Sequence, residues 1–340
     1  MNLPTRIVVM LTLFLVAGCA AADPPGPPSP PGSVAPAITE TGFVADDGTV
    51  LPLKSWVPDG HPKAVILALH GFNDYSNAFK DSGEEWAKHG IATFAYDQRG
   101  FGAAPEHGLW AGAPRLVQDA TEAANLLRAR YPGAPLYILG ESMGGAVANV
   151  AETGVTGTPP PRADGLILEA PAVWGRDTMT IPERVGLWIG DRLLPGVKLT
   201  GRGLGIVPSD NVEMLRALGR DPLVIKETRV DTVKGLVDLM DDALRAAPRL
   251  HTPILFLYGD HDELIPREST RRFLAALPAG ELRRVAFYPK GYHMLLRDLD
   301  GRAVAGDVAS WILDRSARLP SRSDAAESAR PWPPPSDSSG

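Results

Sequence analysis

The chain has 340 residues, of which 44% are hydrophobic, so it is long enough to bury a full-sized core as one large or two ordinary domains. Its net charge of −6 and the scatter of its lysines and arginines argue against nucleic-acid binding, which needs a basic surface. A single cysteine excludes a disulfide within the chain and a cysteine-based metal site.

The N-terminus has the pattern of a bacterial lipoprotein signal peptide. Arg6 precedes an apolar run, Ile7 to Val16, which is too short to span a bilayer and is typical of a signal-peptide core. A lipobox-like stretch of small residues then leads to Cys19, whose thiol can accept a lipid. We therefore predict a signal peptide over residues 1–18 and a lipid anchor on Cys19; the alternative is an ordinary secretory signal with an incidental cysteine. Ala20 is typical of outer-membrane sorting, so we expect an exported, membrane-anchored protein, on the outer membrane if the cell has one.

Two segments lack the composition of a folded core. Residues 19–38 are rich in Ala, Pro and Ser, which predicts an extended linker after the lipidated cysteine. Residues 316–340 have a similar composition and are predicted to be a disordered tail. The folded domain is therefore expected over residues 39–315.

Within that domain, short apolar runs alternate with segments of helical periodicity. This alternation predicts an α/β fold, with a mostly parallel central sheet covered by helices on both faces. The predicted strands are Val50–Val57, Ala64–Leu69, Ile91–Tyr96, Leu136–Leu139, Leu166–Leu168, Ile254–Tyr258 and Arg284–Tyr288. The predicted helices are Glu84–Lys88 with its flanks, Arg115–Arg130, Gly144–Glu152, Arg267–Leu277 and Ala303–Leu313.

Residues 172–248 interrupt the alternation and are predicted to be a helical cap insertion without strands. Thr180 and Glu183 have the spacing of a capping box, and Pro182 stands in the first turn, so a helix begins there. The apolar residues that share one face of this helix are Ile181, Val185, Trp188 and Ile189. We expect this face to pack the cap onto the main domain; the alternative is an acyl channel or a contact with lipid.

A G-x-S-x-G motif follows one of the strands and precedes a helix. Gly140 and Gly144 flank Ser142 in this motif, and the glycines allow a tight turn and a close approach of strand and helix. The motif alone is weak, because it also arises by chance, but its strand–turn–helix context makes it specific. Ser142 is therefore the predicted nucleophile, exposed on a sharp turn.

The oxyanion formed at such a serine needs two backbone donors. In this arrangement one N–H follows the nucleophile and the other follows a neighbouring strand, here Ala64–Leu69. We assign the donors to the amides of Met143 and Phe72. His70, at the end of the same strand, is interpreted as a residue that shapes the loop rather than as a general base.

The general base and its orienting acid are expected on loops at the same sheet edge, in the chain order Ser, acid, His. His293 follows the last predicted strand and is the predicted base, and Asp262 follows the strand before it and is the predicted acid. Asp260 and Glu169 also follow strands and compete with Asp262 for the role of the acid.

With these residues, the chain resembles the monoglyceride lipase and lysophospholipase branch of the α/β-hydrolase superfamily, which is sometimes grouped with serine aminopeptidases. The resemblance covers about residues 40–315 and is specific for fold and triad rather than for substrate. In that family the position of Asp97 is structural, and Gln98 departs from the histidine often found beside it. The matching segments are His70–Phe72, Asp97–Gly102, Gly140–Gly145, Gly259–Pro266, and Tyr292–His293 followed by Leu295–Asp298.

The resemblance implies hydrolysis of carboxylic esters of apolar acyl groups, such as monoacylglycerols or lysophospholipids. His293 would take the Ser142 proton, Asp262 would orient the imidazole, and an acyl-enzyme would form without metal or organic cofactor. The expected partners are a small lipid-like ester and, through the anchor, the membrane.

Three alternatives stay open at this point. Two are an acyltransferase and a serine aminopeptidase on the same fold; the third is a catalytically silent surface lipoprotein that uses the fold for binding. An aminopeptidase needs acidic cap residues to bind the substrate ammonium group, and the candidates are Glu183, Asp191, Glu213 and Asp238.

Overall fold

A computed structural model describes residues 32–201, 203, 205–278 and 283–324. The predicted signal peptide, Cys19 and most of the predicted linker lie outside the described residues, as do residues 325–340. Within the described residues, no helix is both long and apolar enough to cross a membrane.

The chain alternates strands and helices in the predicted order, with small shifts of their bounds. The strands are β1 (Ala37–Ile38), β2 (Phe43–Val44), β3 (Val50–Leu51), β4 (Leu53–Trp56), β5 (Ala64–Leu69), β6 (Ile91–Tyr96), β7 (Leu136–Glu141), β8 (Gly165–Glu169), β9 (Lys198–Thr200), β10 (Glu227–Arg229), β11 (Ile254–Gly259) and β12 (Arg283–Tyr288). The helices are α1 (Lys80–Lys88), α2 (Ala113–Arg130), α3 (Met143–Thr153), α4 (Ile181–Leu193), α5 (Val212–Arg220), α6 (Val230–Ala246), α7 (Arg267–Ala276) and α8 (Gly301–Leu313).

A seven-stranded sheet forms the centre of the fold, in the order β12-β11-β8-β7-β5-β6-β4. All neighbouring strands in it are parallel except β4, which is antiparallel to β6. Because parallel strands point the same way, the loops after β7, β11 and β12 meet at one edge of the sheet. The predicted α/β fold class is confirmed.

Each face of the sheet is covered by a hydrophobic core. On one face α2, α3 and α6 pack together, and on the other α1 packs with α8. Side chains of β5 alternate between the two cores, with Leu67 in one and Ile66 in the other. A strand that is buried on both faces reads as a continuous apolar run, which is why β5 was recognisable in the sequence.

The N-terminal part of the domain differs from the prediction in two ways. The predicted strand Val50–Val57 is two strands, because Pro52 has no N–H to donate and separates β3, which pairs with β2, from β4, which pairs with β6. The linker boundary at residue 38 is wrong, since β1 already pairs with β2. Pairing between two-residue strands leaves no periodic signal in a proline-rich stretch.

The cap contains a strand pair that was not predicted. β9 and β10 pair antiparallel within residues 172–248, so the prediction of a cap without strands is wrong. Three-residue strands far apart in the chain are too short for period-2 alternation to be read. The predicted helix start is confirmed, since the Glu183 carboxylate accepts the Thr180 N–H at 2.7 Å and α4 begins there.

The apolar face of α4 does not pack onto the main domain. Its residues Ile181, Val185, Trp188 and Ile189 have exposed fractions between 42% and 74%. Leu187, on another side of the helix, is the residue of α4 that packs against the core. The packing interpretation of this face is therefore wrong, because the side of the helix that faces inward is a different one.

Residues 316–324 are folded onto the domain, so the prediction of a disordered tail from residue 316 is wrong for this stretch. Leu319 is buried, and the Ser321 N–H donates to Asp307 Oδ1 at 2.9 Å. The Phe287 N–H donates to the Ser323 carbonyl oxygen at 3.1 Å and so satisfies a group of the edge strand β12. A polar composition did not reveal these non-local contacts.

Candidate active site

Ser142 lies on a strained turn between β7 and α3. Its backbone φ is +52° and its ψ is −113°, a region that residues other than glycine rarely adopt. The Ser142 N–H donates to the Glu169 carbonyl oxygen at 2.9 Å, and the Ala172 N–H donates to the Ser142 carbonyl oxygen at 2.8 Å. The surrounding backbone therefore holds the serine in the sharp turn that the motif predicted.

The glycines of the motif are required by close backbone contacts. A Cβ atom on Gly144 would lie 2.0 Å from the Leu69 carbonyl oxygen, and one on Gly140 would lie 2.3 Å from the Gly144 carbonyl carbon. Both distances are far below van der Waals contact, so only glycine lets α3 pass this close to the strands.

His293 and Asp262 form a buried hydrogen-bonded pair. His293 Nδ1 lies 2.9 Å from Asp262 Oδ2. The other carboxylate oxygen accepts the N–H groups of Leu264 at 2.8 Å and Ile265 at 3.0 Å, which hold the carboxylate in place. Because a carboxylate only accepts hydrogen bonds, Nδ1 carries the proton of this bond and Nε2 of the neutral ring is left as an acceptor.

The surroundings of His293 raise its pKa. Burial by itself would lower the pKa of the imidazole, but the charge of Asp262 and the hydrogen bond to it outweigh burial, so the pKa lies above its usual value. The Glu141 charge acts in the same direction as Asp262, and the Arg297 charge opposes it. The ring is therefore able to hold a proton that it receives, which is what a general base must do.

Ser142 and the His293–Asp262 pair lie at the same edge of the sheet. Ser142 follows β7, while Asp262 and His293 follow β11 and β12, with β8 between β7 and β11. Within the described residues, the Ser142 hydroxyl makes no hydrogen bond with His293; in enzymes without substrate this bond is often long and tightens on binding. The structure thus joins the predicted acid and base by a hydrogen bond and carries the predicted nucleophile on a turn at the same sheet edge.

The two predicted oxyanion donors lie on segments that flank Ser142. Met143 is the first residue of α3, where an N–H has no acceptor within the helix and lies at the positive end of the helix dipole. A Cβ atom on Gly71 would lie 3.4 Å from Ser142 Cβ, so the loop after β5 passes directly beside the nucleophile. Phe72 follows Gly71 and packs edge-on against Phe101, with 5.6 Å between ring centroids.

His70 is held as a neutral, fully buried ring. Its Nε2 accepts the Gln98 N–H at 2.9 Å, and its Nδ1 lies 2.8 Å from the Gly71 carbonyl oxygen, to which it donates. Burial lowers the pKa of His70 and opposes protonation. Both ring nitrogens are engaged by backbone groups, so His70 joins two loops and is not available as a base.

The two other candidates for the acid, Glu169 and Asp260, make contacts away from His293. Glu169 Oε1 accepts the Leu296 N–H at 2.9 Å, and burial, with a further contribution from the charge of Glu141, raises the pKa of Glu169 well above its usual value. The raised pKa disfavours the charged form of this carboxyl group, whereas the acid of a triad must be charged to orient the imidazole. Asp260 pairs with Arg267 at 3.4 Å and braces the loop that carries the acid.

Asp97 has the structural role that the family resemblance implies. Its carboxylate accepts the Ser76 N–H at 3.0 Å and the Ala103 N–H at 2.9 Å, which joins two loops. Gly102 packs so closely against this carboxylate that a Cβ atom there would lie 2.4 Å from Asp97 Oδ2.

Among the described residues, no group of three or more His, Cys, Asp or Glu side chains could hold a metal ion.

Arg297 is a residue of this region that was not among the predicted site residues. Its guanidinium donates to Asp74 Oδ2 and to Glu141 Oε1, both at 2.6 Å, and the side chain is 9% exposed. The available signal was Glu141, a charged residue at the end of a buried strand, directly before the nucleophile. A buried carboxylate requires a partner, and a local sequence pattern does not show which residue supplies it.

Comparison with known proteins identifies the family. The family model described as "Serine aminopeptidase, S33" (Hydrolase_4) matches residues 60–300. The monoacylglycerol lipase of Mycolicibacterium smegmatis is 25% identical over 278 residues, which cover 81% of this chain and 97% of that protein. The monoglyceride lipase of Rattus norvegicus is 26% identical over 280 residues, covering 81% of this chain and 90% of that protein.

The fold is also similar to that of solved structures. A soluble variant of monoglyceride lipase from Saccharomyces cerevisiae, crystallised with a substrate analog, matches with a TM-score of 0.66 and 21% identity. The match covers 86% of this chain and 99% of that one. The chain therefore belongs to the serine aminopeptidase S33 family, has the α/β-hydrolase fold, and is a serine hydrolase of the lipase and esterase type.

Proposed function

We propose that this enzyme hydrolyses carboxylic esters of apolar acyl groups, with monoacylglycerols or lysophospholipids as its substrate class. The observation that carries the proposal is the buried pair of His293 and Asp262, at the same sheet edge as Ser142 on its strained turn. The names of the relatives, monoacylglycerol lipase and monoglyceride lipase, support the substrate class.

The proposed reaction is acyl transfer in two steps. His293 Nε2 takes the hydroxyl proton as Ser142 Oγ attacks the ester carbonyl, and the imidazolium then protonates the leaving alcohol, which leaves an acyl-enzyme. In the second step His293 takes a proton from water, the hydroxide attacks the acyl-enzyme, and Ser142 recovers its proton as the carboxylic acid leaves. The amides of Phe72 and Met143 stabilise the oxyanion in both steps, each contributing about 10²–10³ in rate.

The exposed face of α4 supports an apolar substrate that is presented at a lipid surface. Trp188 and Ile181 expose most of their surface to solvent, although burial of such side chains is favourable by about 1.5–3 kcal/mol. A lipid layer would provide that burial. Together with the proposed lipid anchor on Cys19, this face would bring the cap to the membrane that holds the substrate.

Labelling with a fluorophosphonate probe tests the nucleophile. The wild type should be labelled, and Ser142→Ala should not be. Ser55→Ala, which changes an exposed serine on β4, is the matched control and should be labelled like the wild type. Labelling that survives Ser142→Ala would refute the assignment, and no labelling of the wild type would favour a silent binding protein.

Aminopeptidase activity is the second candidate, because the family description names it. Three of the four acidic cap residues named for this role already have partners: Glu183 caps α4, Glu213 pairs with Arg216, and Asp238 pairs with Lys234 at 2.7 Å. Hydrolysis of p-nitrophenyl acyl esters and of aminoacyl anilides should be compared directly, with added alcohols to detect acyl transfer. Preference for the anilides would contradict the esterase proposal.

Membrane anchoring is tested separately. We propose that the exported protein is held at a membrane through Cys19. Cys19→Ser should move the protein from the membrane fraction to the soluble fraction, with its esterase activity retained. Unchanged retention in the membrane fraction would count against the lipid anchor.

A further inference from the structure

A buried cluster of charged side chains surrounds Arg297 beside the nucleophile turn. The guanidinium donates to Asp74 and to Glu141, and all three side chains are almost fully buried. Glu169 contributes a third carboxyl group, whose Oε2 is buried without a hydrogen-bond partner. The proposed catalytic steps use none of these groups.

Arg297 and its two carboxylate partners belong to three different segments of the site. Glu141 immediately precedes Ser142, and Asp74 lies two residues after Phe72, on the loop that passes beside the nucleophile. Arg297 itself ends the 3₁₀ turn Leu295–Arg297, just after His293. A single guanidinium thus connects the nucleophile turn, the oxyanion loop and the loop of the base.

We propose that Arg297 is a positioning residue for ester hydrolysis, which holds these three segments at their working distances through Glu141 and Asp74. This inference rests on the proposed function of the site. Small displacements of reacting groups have large effects on rate, since a misplacement of about 1 Å can cost about 10²-fold.

Arginine suits this role better than lysine for a geometric reason. Its planar fork presents separate N–H groups to two carboxylates at fixed angles, whereas a lysine ammonium is a point charge on a flexible stem. Separating the guanidinium from either carboxylate would leave a buried charge without a partner, which is strongly destabilising. The ion pairs therefore keep the three side chains in contact.

The cluster also provides a readout that a purely structural role would not change. The charged groups that act on the pKa of His293 include Asp262 from the loop after β11, Glu141 from the end of β7 and Arg297 from the same loop as His293. Glu141 raises the pKa of His293 and Arg297 lowers it. Removal of either charge should therefore move the acidic limb of the pH–rate profile, in opposite directions.

The test measures kcat and KM for a p-nitrophenyl ester, and the rate of fluorophosphonate labelling at Ser142, as functions of pH. Arg297→Lys keeps the charge but loses the bridge, so kcat and the labelling rate should fall at least about tenfold with the acidic limb unmoved and KM little changed. Glu141→Gln should move the limb to lower pH, and Arg297→Met should move it to higher pH.

Arg99 provides a matched control. Its side chain is 10% exposed, close to the 9% of Arg297, and it also bridges two carboxylates, those of Asp47 and Asp119. Arg99→Lys should lower the melting temperature in the same way as Arg297→Lys but should leave the acidic limb and the labelling rate near those of the wild type.

The outcomes separate the proposals. Folded Arg297→Lys and Glu141→Gln variants that react like the wild type at every pH would overturn the positioning role. If Arg297→Met does not fold, the test rests on these two variants alone. Equal loss of rate in Arg99→Lys and Arg297→Lys, with no shift of the limb in Glu141→Gln, would also overturn it. A wild type that does not react at all would refute the proposed function, and the positioning role with it.

Discussion

Ser209 Oγ donates a 2.6 Å hydrogen bond to Asp298 Oδ1, in a buried position where the cap meets the loop of His293. The second oxygen of Asp298 accepts the Tyr292 N–H at 2.7 Å. Asp298 therefore connects the cap to the backbone immediately before His293. The cap therefore supports the backbone segment that carries His293.

Removal of the Ser209 hydroxyl should weaken this connection. Ser209→Ala leaves a buried carboxylate oxygen without its donor, so the free energy of unfolding should fall by about 1–3 kcal/mol and kcat should fall with it. Urea denaturation and ester hydrolysis measure the two effects. In the control Ser316→Ala, the lost bond, to Asp314, has the same length of 2.6 Å but is exposed, and the expected change is within about 0.5 kcal/mol. Equal behaviour of the two variants would contradict this prediction.

Asp262→Asn should abolish most of the esterase activity while the fold is retained. An amide in this position can donate to Nδ1 and so favours the wrong tautomer of His293; in serine proteases the corresponding change lowers kcat by about 10⁴. Steady-state kinetics on a p-nitrophenyl ester measure the loss. Asp260→Asn, in the same loop but paired with Arg267 at a partly exposed site, should keep activity near the wild-type level. Loss of activity in Asp260→Asn but not in Asp262→Asn would reverse the two assignments.

The stability of the Glu169→Gln variant, relative to that of the wild type, should increase as the pH rises. The pKa of Glu169 is raised well above its ordinary value of 4.5, so above that pH the unfolded chain loses this proton while the folded protein keeps it. The stability contribution of Glu169 is thus fully present below pH 4.5 and is lost as the pH rises through the raised pKa.

Glutamine does not titrate, and its carbonyl oxygen can still accept the Leu296 N–H. The melting temperature of Glu169→Gln, compared with the wild type at the same pH, should therefore increase between about pH 5 and pH 8. Calorimetry across this range provides the measurement. A difference in melting temperature that is the same at every pH would show that Glu169 ionises in the folded protein as it does in the unfolded chain.

Two helical glycines should respond in opposite ways to alanine. In Gly144→Ala the new methyl group meets the Leu69 carbonyl oxygen at 2.0 Å, so the free energy of unfolding should fall by about 1–3 kcal/mol or more. A Cβ atom on Gly306, in α8, meets no atom within 4 Å, so Gly306→Ala should stabilise the protein by about 0.5–1 kcal/mol. Urea denaturation of both variants measures the difference. A stable Gly144→Ala variant would mean that α3 does not pass as close to β5 as the structure places it.

Much of the fold could be predicted because its signals are local. Strands such as Ala64–Leu69 and Ile91–Tyr96 have the predicted bounds, since strands buried on both faces appear as uninterrupted apolar runs. The short strands β9 and β10 could not be predicted, because their pairing depends on residues far apart in the chain. The outward orientation of the apolar face of α4 was also beyond the sequence, since an amphipathic pattern defines a face but not its neighbour.

The sequence by itself determined the order of strands and helices, the tight turn at Ser142, and the chain order that led to Asp262 and His293, because periodicity, glycine spacing and strand ends are properties of neighbouring residues. Only the tertiary structure decided that the pKa of Glu169 is raised, that His70 is a neutral ring hydrogen-bonded to two loops, and that Arg297 joins residues 156 and 223 positions away. The ionisation and partners of a buried group depend on the charges and donors that packing brings around it, and those come from distant parts of the chain.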